Sequence, residues 1–339
     1  MNANLRPDTE PAQHPRCRDG RPTIRIRFVD FWDSFDPCDN VFTRLLETRF
    51  ALEHCDEPDF IVYSVMGGRH KKHLRHDCVR IFYTGENIAP DWNTCDWAFT
   101  FEDTSHPRHY RLPLWGLHAD PQELVKPAAY DPAAVLARKT KFCAFLVSNP
   151  FCRTRNDFFR KLSRYKPVDS GGKVLNTLGH GVSDKETFLA DYKFTIAFEN
   201  ESHPGYTTEK IIGPMRADSI PIYWGDPLVG RDFDTRSFLS AHDSPSLNEL
   251  LQRVIEVDSN PDLHQSILAA PWYRNNRVPP GVDPAAILDQ FTTIFHSGVL
   301  PVARTKSLGR VVGWDRLPKT LASIRRRCGI KYRKLTRNA

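Results

Sequence analysis

The stretch Tyr192 to Pro227, YKFTIAFENESHPGYTTEKIIGPMRADSIPIYWGDP, constrains the fold more than any other part of the chain. Lys193 to Phe198 is an apolar, β-rich run that ends in Glu199-Asn200-Glu201. A loop with Gly205 and Tyr206 leads to Thr207-Thr208, good N-cap residues, and then to Glu209-Lys210 in a first helical turn. The helix closes near Asp218, and Ile220 to Trp224 forms a second strand that ends at Gly225. A strand, helix and strand of these lengths make a βαβ unit, which requires a parallel sheet. Its loop lies at the carboxyl end of the first strand, where open α/β sheets place ligands. A helix start with a lysine in its first turn suits a diphosphate. The competing reading is a surface loop with solvated charges.

The remaining pattern agrees with an α/β chain. Strands are expected at Thr23–Phe28, Asp59–Val65, Arg80–Tyr83 and Trp97–Phe101, with Leu112–Trp115 continuing the same domain. Val41 to Leu52 has helical spacing, and Ala128 to Lys141 reads as a helical connector. Phe142–Val147 opens a second series of strands, followed by a helix from Arg155 or Asn156 to Tyr165. Asp169–Gly172 reads as a flexible turn. Helices are expected at Lys185–Asp191 and from Leu247 to about Val257. Short strands alternating with helices imply parallel sheets with right-handed crossovers. Periodicity alone gives α/β and no more.

The 339 residues suffice for two ordinary domains, and no apolar run approaches the ~18–20 residues of a membrane span. The polar, proline-rich start lacks the apolar stretch of a signal peptide and reads as a disordered leader over residues 1–22. Eight cysteines without a C-x-x-C pair read as scattered reduced thiols of a cytosolic protein. The net charge of +6 divides unevenly. Residues 301–339 hold twelve Lys/Arg and one acid, whereas residues 1–300 hold 35 basic and 40 acidic groups. A mildly acidic body argues against a nucleic-acid-binding core.

Three motifs carry a family resemblance. FENE…GYTTEK…IPIYWGDP resembles the donor-site signature of the α1,3/α1,4-fucosyltransferases, glycosyltransferase family 10. IFYTGENIAP (residues 81–90) resembles the family's acceptor-side loop, and FLVSNPFCRTRNDFF (residues 145–159) its linker and donor-domain entry. The similarity runs with gaps from about Thr23 to Asp243 and is nearest to the soluble bacterial members. It implies the GT-B architecture, two Rossmann-like domains facing a cleft. The acceptor-side domain is expected at residues 23–137, the GDP-fucose domain at 138–300 and a basic amphipathic tail at 301–339.

The resemblance also implies chemistry. Moving fucose from GDP-β-L-fucose with inversion needs a base for the acceptor hydroxyl and stabilisation of the departing diphosphate. Glu86, in the loop after Arg80–Tyr83, matches the family's general base; without the match it reads as a solvated or capping glutamate. Lys210 and Arg155 match the diphosphate contacts. Arg155 offers a planar fork, and its neighbour Arg153 is the rival set aside by the SNP…RN match. Glu209 is expected on the ribose, since an acid beside a phosphate-binding lysine must point away from the diphosphate. Asn200 and Tyr206 flank diphosphate and fucose in the family. Glu199 reads equally as a contact to fucose hydroxyls and as a structural anchor.

No metal ligand set is expected. His70, His73 and His76 read as a solvated basic segment rather than a zinc site, and no obligate metal or other cofactor is implied. Trp32, Tyr83 and Trp92 read either as sugar-stacking aromatics or as core. Pro214, inside the helix that starts at Glu209, is expected to kink or loosen it after the first turn.

In the tail, Leu317, Leu321, Ile324 and Cys328 recur at helical spacing among arginines. This pattern suits an anionic membrane surface and a peripheral enzyme on the inner face of the plasma membrane. A basic tail with no membrane role is the alternative. The acceptor implied is a lactosamine-like oligosaccharide of lipopolysaccharide or another surface glycan, fucosylated at GlcNAc or glucose through an α1,3 or α1,4 linkage. A transferase for another GDP-sugar and a non-catalytic glycan-binding protein are the competing functions. No nucleic-acid partner is expected, and nucleic-acid binding through the tail is a further rival.

Overall fold

The longest strand of the first half is β2 (Arg21–Val29), and its neighbours are registered from it. The computed structural model describes residues 17–68, 78–298 and 301, with Cys17 and Arg18 described by backbone alone. β1 (Cys17–Arg18) turns back antiparallel onto the start of β2, so the first sheet begins inside the stretch expected as a leader. α1 (Val41–Leu46) is capped by Asn40, whose side chain accepts from the N–H groups of Phe42 and Thr43. The helix does not continue to Leu52. Ala51–His54 is instead β3, parallel to β2, because ladder hydrogen bonds to Thr23–Ile26 capture these residues against their helical spacing. β4 (Phe60–Tyr63) takes the other edge of β2, since Ile26 pairs with both strands. β5 (Val79–Tyr83), β6 (Trp97–Thr100) and β7 (His109–Arg111) extend the sheet in parallel.

After α2 (Pro132–Arg138), the second sheet is built from β8 (Lys141–Phe145), β9 (Val168–Ser170), β10 (Tyr192–Phe198), β11 (Ile220–Trp224) and β12 (Leu239–Ser240). The order is β12-β11-β10-β8-β9, and every pair is parallel. The stretch read as a flexible turn at Asp169 therefore contributes to a strand, because Val168–Ser170 pairs with Cys143–Phe145. α3 (Arg153–Leu162), α4 (Lys185–Ala190) and α5 (Glu209–Arg216) connect these strands, and α6 (Leu247–Ser259), α7 (Pro261–Ala269) and α8 (Pro284–His296) follow. The chain reverses direction between β8 and β10, and this switch point is where such sheets hold ligands.

Two buried lysines fasten the linker between the sheets. Lys139 Nζ donates to the carbonyls of Ala190 and Ala217 (2.6 Å each), at the carboxyl ends of α4 and α5. Lys126 Nζ donates to the carbonyls of Leu268 and Ala270, at the end of α7, and sits 3.5 Å from the Trp272 ring centroid. Cations at helix carboxyl ends meet orphan carbonyls and the negative end of the dipole. α8, within the span expected for the second domain, packs on the first sheet. Phe291 stacks on Phe99 (4.6 Å), Phe295 lies 4.6 Å from Phe60, and Asp289 pairs with Arg49 at 2.7 Å.

Among the described residues no helix is long and apolar enough to cross a membrane. The same residues contain no His/Cys/Asp/Glu group suited to a metal. Cys38, Cys55, Cys78, Cys95, Cys143 and Cys152 are free thiols. The histidines at 70, 73 and 76 and the basic tail lie outside the described residues.

One buried group makes stability depend on pH. His264 of α7 is buried edge-on to Phe194 (5.1 Å), and burial, helped by Lys193, pushes its pKa down to about 4. The unfolded chain takes up a proton near the ordinary histidine value of about 6.5, which the folded chain refuses until about pH 4. Stability from this group is therefore present above pH 6.5 and declines as pH falls toward 4. Urea unfolding should show the wild type losing about 2 kcal/mol through His264 between pH 7.5 and 5, and a His264→Leu variant lacking that increment. Identical pH slopes would refute the assignment.

Candidate active site

The second half of the site starts from a strand end. The β10 ladder delivers Glu199 just past Phe198, where its N–H donates to the Trp224 carbonyl (2.7 Å) and its side chain is wholly buried. A buried carboxylate needs partners, and those here come from the start of α5. Thr208 donates its N–H to Oε1 and its hydroxyl to Oε2, both at 2.7 Å, and Lys210 Nζ donates to Oε2 at 3.0 Å. Lys210 Nζ also reaches Thr208 Oγ1 (2.9 Å) and lies 3.7 Å from Glu209 Oε1. Burial raises the Glu199 carboxyl above its ordinary range against the pull of Lys210. Burial alone would lower Lys210, but the charges of Glu199 and Glu209 outweigh it and hold the ammonium upward. Gly225 makes the arrangement possible, since a Cβ there would meet Glu199 Cγ at 2.4 Å.

Asp226 anchors the other side of the loop. Its Oδ1 accepts from the N–H groups of Gly205 (2.6 Å) and Leu228 (2.7 Å), and its Oδ2 from the Thr207 hydroxyl (3.0 Å). Gly205 has φ +85°, and a Cβ would lie 2.5 Å from the Phe101 carbonyl oxygen of the first half. Both the conformation and the space demand glycine. Tyr206 is buried with its ring 5.2 Å from Phe101, and burial with the carboxylates of Glu199, Glu86 and Glu209 holds its phenol well above the ordinary value.

Arg155 enters the site in a different way from the sequence expectation. It is fully buried, with Nη1 donating to the Phe198 carbonyl (3.1 Å) and Asn200 Oδ1 (3.0 Å), and Nη2 to the Asn149 carbonyl (2.6 Å). The fork thus ties the loops after β8 and β10 together beneath the switch point. Arg153, its rival, points to solvent and pairs with Asp157. α5 runs unbroken through Pro214 from Glu209 to Arg216, so the expected loosening does not interrupt it. In so short a helix the proline removes a single bond, to Lys210 O, and leaves the Thr208–Glu199 contacts untouched.

The first half brings Glu86. Its loop leaves β5 through Thr84, whose Oγ1 accepts the Glu86 N–H at 2.9 Å, and the Ile88 N–H returns to the Glu86 carbonyl at 2.7 Å. Glu86 is exposed, and the next residue crosses to the second half: Asn87 Nδ2 donates to Glu201 Oε2 at 2.9 Å. Of the three aromatics singled out, Tyr83 is core and Trp92 stacks on His106 (3.6 Å). Trp32 is the exposed one, 49% accessible at the end of β2.

Sequence reasoning missed several groups. His118 of the first half lines a cavity of about 580 Å3 together with Val147, Ser183, Lys185, Glu209 and Lys210. Burial lowers the His118 pKa despite the nearby Glu209. Asp226 stands in the WGDP motif, where an acid after a strand-end glycine is the available signal. Nothing local marked His118, whose place depends on how the two halves pack.

Comparisons with known proteins agree with this geometry. Residues 26–118 match the family model described as alpha-(1,3)-fucosyltransferase FucT N-terminal domain. Residues 136–281 match glycosyltransferase family 10 (fucosyltransferase) C-term. The chain is 30% identical to alpha-(1,3)-fucosyltransferase FucT of Helicobacter pylori over 73% of its own length, and spans 60% of that relative. A crystal structure of an alpha1,3-fucosyltransferase superposes with a TM-score of 0.74 at 26% identity, covering 86% of this chain and 95% of that one. The same enzyme type with GDP-fucose gives a TM-score of 0.68 at 26% identity, with 85% and 95% covered. The architecture is the GT-B fold, two Rossmann-like sheets facing a cleft. With both halves matched by models of one family, the chain belongs to glycosyltransferase family 10, the fucosyltransferases.

Proposed function

We propose that the chain transfers L-fucose from GDP-β-L-fucose, with inversion, to a GlcNAc or glucose hydroxyl of an oligosaccharide, forming an α1,3 or α1,4 linkage in lipopolysaccharide or another surface glycan. One observation carries the reading. An exposed carboxylate, Glu86, stands beside the contact through which its loop meets the loop that carries the Lys210–Glu199 cluster. The solved alpha1,3-fucosyltransferase with GDP-fucose supports the donor.

In this mechanism Glu86 takes the acceptor proton as the hydroxyl oxygen bonds to fucose C1. The C1–O bond to the diphosphate breaks on the opposite face, and GDP leaves with the electron pair. Lys210 meets the growing negative charge, aided by Asn200, Tyr206 and the start of α5, and Glu209 receives the ribose hydroxyls. Arg155 contributes its charge from below the switch point while its fork holds protein carbonyls. Glu199 acts as the anchor that presents Lys210. No step requires a metal. The basic tail serves as a contact to an anionic membrane surface.

Four measurements test this reading. Glu86→Gln should lower kcat by ~10²–10⁴-fold with GDP affinity retained, and undiminished turnover would remove Glu86 as the base. Gly225→Ala forces a methyl group against Glu199, at about 1–3 kcal/mol of stability, and should weaken GDP binding at least about tenfold. Normal GDP affinity in that variant would disprove the anchoring of Lys210. In liposome flotation with anionic vesicles the full chain should float and a chain ending near residue 300 should not; equal binding defeats the tail's role. Turnover of GDP-mannose alone would favour the other GDP-sugar reading.

A further inference from the structure

The cleft is closed along one flank by polar contacts that follow the carboxyl edge of the first sheet. After β5, Asn87 meets Glu201 at 2.9 Å. After β6, Glu102 lies 3.7 Å from His203 and Asp103 3.2 Å from Arg231. On β7, Arg111 grips Asp232 through two hydrogen bonds, at 3.1 and 2.6 Å. The contacts after β6 and β7 hold the two halves together. The first of the series does something the others do not, because Asn87 is covalently next to the proposed base.

We propose that Glu201 is a positioning residue that fixes Glu86 relative to the donor through Asn87, so that donor loop and base move as one unit. This rests on the reading of Glu86 as the base. The local bonds of the Glu86 loop, to Thr84 and Ile88, set its shape but not its place against the second half. The Asn87–Glu201 hydrogen bond sets that place. Glu201 is in turn held by a rigid neighbour on each side. Two residues before it, Glu199 is locked to Thr208 and Lys210, and after it the Ser202 hydroxyl donates to the Gly225 carbonyl at 2.7 Å. A displacement of the base of about 1 Å is enough to cost orders of magnitude in rate. An exposed neutral–ionic hydrogen bond contributes little to folding, so its loss acts on geometry and leaves the fold intact.

The arrangement has a donor and an acceptor that can be exchanged. Asn87→Asp places two carboxylates together. Asn87→Asp combined with Glu201→Gln restores a bond of reversed polarity, with the glutamine amide donating to the aspartate. Glu201→Ala and Asn87→Asp are each expected to lower kcat about tenfold or more, with the Kd for GDP within about twofold of wild type. The double variant is expected within about threefold of wild-type kcat. Hydrogen exchange at the amides of residues 84–89, measured with GDP bound, should quicken about tenfold in each single variant and return in the double. Unchanged exchange in the single variants, or a double variant no faster in turnover than either single, overturns the proposal. If wild type fails to turn over GDP-fucose while the exchange pattern holds, the assigned reaction fails and the coupling of the loops stands.

Discussion

The buried carboxylate of Glu199 is the constraint on which the donor half depends. Removing an ion pair from water costs several kcal/mol per ion, and the mutual attraction offsets this only with good geometry and further hydrogen bonds. Glu199 has both: Lys210 at 3.0 Å and two donors from Thr208 at 2.7 Å. The consequence reaches beyond the pair. The carboxylate occupies the start of α5, fixes where the helix begins, and requires the residue opposite, Gly225, to have no side chain. A lysine that would otherwise swing in solvent is thereby aimed before any ligand arrives, the kind of preorganisation that favours stabilising charge in a transition state.

Two further buried charges complete this floor. Asp226 gathers three donors from the Gly205–Leu228 region, and Arg155 binds the carbonyls at the ends of β8 and β10. Each is placed where backbone groups leave the parallel ladder and lose their partners. At Arg155 the switch point produces this need, because β8 and β10 diverge there into loops on opposite faces, and at Asp226 the end of β11 does so. Charged side chains then satisfy what the sheet no longer can. Arg155 shows the trade: a guanidinium drawn fully inside by protein carbonyls is a poor direct clamp for a ligand, but a good means of holding the loops that contact one.

The sequence made much of this legible, for definable reasons. β10, α5 and β11 were readable because apolar runs, N-cap threonines and strand-end glycines are local signals, and Glu199, Lys210 and Tyr206 fell where that pattern put them. Two departures from the expected elements have a common cause, shared by the placing of α8. Ala51–His54 and Val168–Ser170 became strands through pairing with distant β2 and β8, which no local window contains. α8 lies on the first sheet through Phe291 and Phe295, which meet residues more than 190 positions earlier. The surroundings of Arg155 depend on packing in the same way: the residue expected at the diphosphate is buried and donates to the carbonyls of Phe198 and Asn149. Glu86 and Glu201 were each visible in their motifs, but the hydrogen bond that relates them crosses the cleft.

The asymmetry between the halves has a mechanical meaning. The donor side is pinned by buried charge. The base side stands on an exposed loop whose own bonds span only Thr84 to Ile88. Domain contacts within one chain are ordinarily polar and permit relative motion, and among the described residues those at the carboxyl edge of the first sheet include contacts on or after β5, β6 and β7. Under the proposed reaction the pinned half would hold the donor, and the exposed loop of Glu86 would take its place against it from the Asn87–Glu201 hydrogen bond.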